Sequence, residues 1–101
     1  MAKLIERMEN GELSAIIEGI AAEGAQVRVC AILYATRLGI RNKAVENGIK
    51  RLKTDETSLF GYNVHPTVAD FAMAALDILG IERYSEEEEV VKKFIECKLD
   101  F

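Results

Sequence analysis

Six polar residues at helical spacing carry the chemistry that this sequence offers: Arg41, Asn42, Lys43, Glu46, Asn47 and Lys50. Each can hydrogen-bond a base edge or a phosphate, and the apolar Val45, Gly48 and Ile49 between them mark the opposite side of the same helix. Arg51 and Lys53 extend the basic character to the end of that segment, where they are placed to meet a phosphate backbone. On this reading Asn42 and Asn47 address adenine, Arg41 and Lys43 address guanine or phosphate, and Glu46 accepts from a cytosine amino group. Four or five phosphate contacts would make log K fall against log salt with a slope of about −4.

The elements needed to present such a helix are legible around it. Gly39 lies four residues after Ala35, so a small residue and a glycine suited to positive φ stand where a helix-turn-helix needs its crossing and its turn. The motif spans about 31–53, with Ile40 filling the elbow and Val45, Gly48 and Ile49 expected to close on the first helix. Asn42 is an expected N-cap for a second helix that reaches about Lys53.

Charge is distributed in support of that face. The 101-residue chain has a formal net charge of −4, yet residues 25–53 sum to +6 while residues 1–24 and 54–101 sum to −3 and −7. A cationic segment coinciding with the motif supplies a local field for a polyanion, although a solvated basic face balanced by acidic neighbours has the same composition.

The rest of the chain reads as one all-α domain over 1–101, a compact bundle of five to six helices containing the helix-turn-helix. Helices are expected over 3–9, over 12–23 with Leu13, Ile16, Ile17, Ile20 and Ala21 inward, and over 26–38 with Val27, Cys30, Ala31, Tyr34 and Leu38 inward. Residues 54–64 form a loop whose apolar second half tucks over the core. Pro66 opens a fifth helix in its first turn, with Val68, Phe71, Ala72, Ala75 and Leu79 inward before Gly80, and Ser85 with Glu88 makes a capping box for a sixth helix burying Val90, Val91, Phe94 and Ile95. Residues 25–40 and 66–81 echo one another at an offset of 41 residues, which admits a two-repeat HEAT-like stack as the rival fold. A shared helix ending, glycine followed by an apolar residue, accounts for the same echo.

Other chemistry has little footing. His65 is the single histidine and precedes Pro66, with no orienting carboxylate at a telling distance in sequence, so no catalytic role and no enzyme is expected. Cys30, His65 and Cys97 do not stand at metal-ligand spacing, the glycines match no phosphate loop, and the run Glu86–Glu89 suits a helix start, so no metal or cofactor is expected. Two distant cysteines, no leader and no apolar run of membrane-spanning length point to a reducing cytoplasm and away from a membrane.

A resemblance adds to this. Ser58-Leu59-Phe60-Gly61-Tyr62, then Val64, then the segment 66–79 with Asp70, Phe71, Asp77 and Leu79, is similar to the DNA-binding effector domain of the sporulation-initiation response regulator family. Val45-Glu46 with Ile49-Lys50 resembles that family's recognition helix, and Leu33-Tyr34 the start of its motif; the likeness covers about residues 33–82. It implies an all-helical effector that binds double-stranded DNA through the second helix of its motif, as a transcriptional regulator. The family's flanking arginines are replaced by Ala44 and Asn47, so its operator does not carry over, and no receiver domain precedes the motif. A lone module of this size gains specificity by pairing, so a homodimer on two half-sites is expected. The alternative is a small HEAT-like adaptor for protein partners without affinity for DNA.

Overall fold

In the computed structural model of the chain, residues 2–58 and 66–83 are described. They form five α-helices: α1 (Ala2–Glu9), α2 (Leu13–Ile20), α3 (Ala25–Arg37), α4 (Lys43–Arg51) and α5 (Val68–Ile78). A single 3-10 turn, Leu52–Thr54, continues α4. Among the described residues the only extended pairing is an isolated bridge between Ser58 and Thr67, so the all-α expectation holds. The apolar end of the 54–64 loop, His65, the capping box at Ser85 and the sixth helix with Cys97 lie outside the described residues.

The middle of α3 is the hub. Residues 31–36 are all buried because α1, α2 and α5 pack around it. Thr36 is tolerated there since its Oγ1 donates to the Ile32 carbonyl at 2.8 Å, leaving no unmet polar group. Met8, Ile16, Ile32, Ile49, Leu76, Val45 and Val68 are the largest fully enclosed side chains of the core.

Glycine decides how closely the helices meet. A Cβ at Gly19 would lie 2.7 Å from Met8 Sδ and 2.9 Å from Ala31 Cβ, so α2 rests against α1 and α3 at a distance that only glycine permits. That close seat turns α2 onto Ala15, Ile16, Gly19 and Ile20, rotating the expected stripe. Leu13 and Ile17 are consequently 39% and 38% exposed, and Ala21 falls outside the helix, exposed, in a turn that ends α2 three residues earlier than expected. Gly24 serves as the N-cap of α3. Leu38, expected inward, is 44% exposed at the end of α3.

The ends of α3 and α5 explain the internal echo. Gly39 (φ 63) donates to Thr36 O while Ile40 donates to Ala35 O; Gly80 (φ 74) donates to Asp77 O while Ile81 donates to Leu76 O. Both are Schellman caps, in which a left-handed glycine lets its own N–H and the next one satisfy terminal carbonyls. The shared Leu-Gly-Ile is therefore the same ending used twice.

The fifth helix begins two residues later than expected, at Val68 rather than Pro66. Thr67 is the N-cap, its backbone N–H donating to Asp70 Oδ2 at 2.8 Å while Asp70 N–H donates to Thr67 Oγ1 at 3.3 Å. This reciprocal capping box leaves Pro66 outside the first turn.

Candidate nucleic-acid interface

The second helix of the 31–53 segment, α4, is short and strongly two-sided. Val45, Gly48 and Ile49 are buried, and Lys43, Ala44, Asn47 and Arg51 are exposed. Its start is fixed by Asn42, whose Oδ1 accepts from Ala44 N at 2.9 Å and Val45 N at 3.3 Å, as the sequence leads one to expect of an N-cap.

The inner face is seated differently from the sequence expectation. α4 packs chiefly on α2 and α5, not on α3. A Cβ at Gly48 would stand 2.8 Å from Ile20 Cγ2, so Gly48 lets α4 approach the end of α2. Ala35, expected at a crossing with α4, is fully buried within the core around α3. Periodicity identifies which side of a helix is buried, and the partner depends on the path of the whole chain.

The structure divides the eight candidate residues. Arg41 spans two contacts: its Nη1 donates to Leu79 O at 3.1 Å, and its Nε lies 3.4 Å from Glu46 Oε2. Glu46, expected to meet cytosine, is half-buried with its Oε2 turned to that guanidinium. Asn42 spends its acceptor on the helix cap, so it lacks the free oxygen that a bidentate adenine contact requires. Lys53, in the 3-10 turn, places Nζ 2.9 Å from Glu82 Oε1.

Lys43, Asn47, Lys50 and Arg51 make no such contacts among the described residues. Their spacing of four, seven and eight residues from Lys43 puts them on one side of α4. Lys50 and Arg51 occupy the last turn, where the helix dipole favours a cation and stability alone accounts for them. Lys43 is the first residue of the helix, where the same dipole disfavours a cation, and no helix-stability argument explains it.

One basic residue counted toward the field has a different task. Arg28 Nη1 donates to Ala22 O at 2.8 Å and Glu23 O at 2.6 Å, and its Nε lies 2.9 Å from Asp55 Oδ2. That Nε is buried without an aligned hydrogen bond, so the contact with Asp55 is an ion pair rather than a directed bond. Arg28 thus ties the segment after α4 to the turn before α3, while the Asp55 carbonyl itself accepts from Ala69 N at 2.7 Å at the beginning of α5. Sequence inspection missed this because Asp55 lies far from Arg28 in the chain and the Ala22 and Glu23 acceptors are backbone carbonyls with no side-chain signature. Arg28 amid apolar neighbours on a buried helix was the available signal.

Open hollows lie beside these elements among the described residues. Lys53, Thr54, Glu56, Thr67, Ala69, Asp70 and Met73 line an open depression of about 610 Å³, and Glu9, Tyr34, Arg37 and Leu38 line a smaller one of about 230 Å³. Among the described residues no cluster of histidine, cysteine or carboxylates suits a metal ion, and no helix is long and apolar enough to cross a membrane. Cys30 is a free thiol, half-buried, and burial raises its pKa above the ordinary value, which makes it a poor nucleophile at neutral pH.

This arrangement defines a small helical bundle that presents one short, cationic, hydrogen-bonding helix. No protein-family model, curated protein or solved structure matches the chain.

Proposed function

We propose that the chain is a sequence-specific module for double-stranded DNA, a transcriptional regulator that lays the outer side of α4 in the major groove. The observation that carries this reading is the set Lys43, Asn47, Lys50 and Arg51, aligned on one side of α4 without intramolecular partners among the described residues. A helix is narrow enough for the B-DNA major groove, and the run from Lys43 to Arg51 follows about 12 Å of it at 1.5 Å per residue, some three to four base pairs. Likeness to the sporulation regulator effector domain supports the same conclusion from the sequence side. With Arg41 and Lys53 tied to neighbours, three cations remain for phosphates, and the part of the salt slope due to phosphate contacts becomes about −3 rather than −4.

One such helix reads too few base pairs to be specific in a genome, so the active species on this reading is a homodimer on two half-sites, working in the cytoplasm where Cys30 stays reduced. Selection of bound duplexes from a random pool at two salt concentrations tests it. Enrichment of paired half-sites is expected, with loss of specific binding when Asn47 and Lys50 are both replaced by alanine in a chain that still folds. Unchanged affinity of that double variant for the selected duplex would refute the role given to α4.

A second reading, a helical adaptor for protein partners, is favoured by the exposure of Leu13, Ile17 and Leu38. Salt-dependent retention on random duplex separates the two, because the adaptor lacks it.

A further inference from the structure

We propose that discrimination between bases resides in Asn47 together with Ala44, and that the preferred ligand is a duplex with adenine–thymine pairs at the centre of each half-site. The inference rests on the DNA reading above and narrows it. Reading a base edge in both directions requires a side chain that donates and accepts at once, is solvent-facing and has no competing partner. Asn42 fails because its oxygen caps α4, and Glu46 fails because it faces the Arg41 guanidinium. Arg41 is held at the Leu79 carbonyl. Asn47 meets all three requirements, in the middle of α4 rather than at a frayed end.

The surroundings of Asn47 add the second half of the argument. Ala44 lies one turn before it, also exposed, and presents a bare methyl on the same side. A methyl beside an amide matches the major-groove edge of adenine and thymine, which offers N6–H and N7 on one base and a C5-methyl on the other. Lys43 precedes Asn47 by four residues and Lys50 and Arg51 follow by three and four, so cations bracket this pair along the helix. They supply attraction to the backbone on either side and leave the centre to the uncharged residues. Glu46 has one carboxylate oxygen 3.4 Å from the Arg41 guanidinium, which draws it toward Arg41 and away from a cytosine.

The test uses the full chain and duplexes recovered from the random pool, resynthesised with 7-deazaadenine for adenine or deoxyuridine for thymine at the enriched pair. The wild-type chain is expected to lose about 5- to 100-fold in affinity on loss of the adenine N7, and about fourfold on loss of the thymine methyl. Asn47→Ala binds the normal and 7-deazaadenine duplexes alike with the salt slope unchanged, Ala44→Ser becomes indifferent to deoxyuridine, and Glu46→Gln keeps the wild-type preference. Adenine–thymine preference that survives Asn47→Ala, or a guanine–cytosine preference abolished by Glu46→Gln, would overturn this assignment while leaving DNA binding in place. Failure of the wild-type chain to bind any duplex in a salt-dependent manner would remove both.

Discussion

Gly48 is the position where packing and function meet, and replacing it with alanine puts the seat of α4 to a quantitative test. The added methyl would stand 2.8 Å from Ile20 Cγ2, with Ile20 Cδ1 at 3.6 Å and Cβ at 3.7 Å. Ordinary contact begins near 3.5–4.0 Å, so about 1 Å of movement is required. Ile20 is 4% exposed and cannot swing into solvent, and its branched Cβ leaves few rotamers within a helix. Overpacking of this kind costs about 1–3 kcal/mol, while alanine returns about 1 kcal/mol of helix propensity. The expected net is a loss of about 1 kcal/mol, or roughly 4–8 °C in melting temperature for a domain of this size.

A second background removes ambiguity. Ile20→Leu moves the branch from Cβ to Cγ, deleting the atom that collides, and by itself costs less than about 1.5 kcal/mol. In that background Gly48→Ala should be neutral or stabilising, giving a coupling of about 1–2 kcal/mol between two residues 28 positions apart in sequence. Urea denaturation of the four chains measures it. If Gly48→Ala stabilised by about 1 kcal/mol in both backgrounds, propensity alone would be at work, and α4 would not rest on α2 as described.

Gly39→Val should destabilise by about 1–3 kcal/mol through backbone strain alone, because φ is 63 and no atom lies within 4 Å of the added Cβ; an unchanged melting temperature would contradict the turn. Arg28→Met and Asp55→Asn should each cost about 1–3 kcal/mol in urea titrations, and the double variant less than their sum, since the pair is 14% and 19% exposed. For Cys30 the sign follows from its raised folded pKa: the thiol is favoured over the thiolate, so its contribution to stability is intact below the unfolded value of 9.0 and is lost as pH rises through the folded one. A denaturation series from neutral pH upward should show that decline weakened by Cys30→Ala, and alkylation of native Cys30 at pH 8 should be slower than in the unfolded chain. Equal alkylation rates would count against its burial.

Much of the fold was open to inspection in the sequence because it depends on local rules. The breaks at Gly39 and Gly80, the cap at Asn42, the inner side of α4 and the apolar side of α5 each follow from residues within a few positions of one another. The errors share a cause. Leu13 and Ile17 were placed inward by periodicity, but Ala15 and Gly19 let α2 settle closer on its small residues and turn the larger ones out. The stripe Val45, Gly48 and Ile49 is buried as its spacing requires, yet it meets α2 and α5 rather than α3, since a hydrophobic stripe carries no label for its partner. Of the candidate site, the free stripe of α4 was legible, whereas the contacts of Arg41 with Leu79 and Lys53 with Glu82 cross 38 and 29 residues and have no local signature.

Those two long contacts alter the meaning of the basic segment. A local sum of +6 over residues 25–53 invites the picture of one broad cationic surface. In the fold, Arg28 faces Asp55, Arg41 faces Glu46 and Lys53 faces Glu82, so three of the seven charges are internally balanced. Arg41 and Lys53 flank α4 at its two ends, and both reach the same stretch just beyond α5: the Leu79 carbonyl and the Glu82 carboxylate. They act as straps that hold the helix by its ends while Lys43, Lys50 and Arg51 face outward between them. Straps of this exposure are themselves weakened by salt. On the DNA reading proposed above, their loosening would add to counterion release, and duplex affinity would fall more steeply than the slope of about −3 set by three phosphate contacts. Arg41→Ala separates these contributions: as a strap, Arg41 stabilises the unbound chain, so its removal lowers the low-salt melting temperature and makes that temperature less dependent on salt, whereas as a phosphate contact it would make the binding slope shallower by about one and leave the melting temperature unchanged.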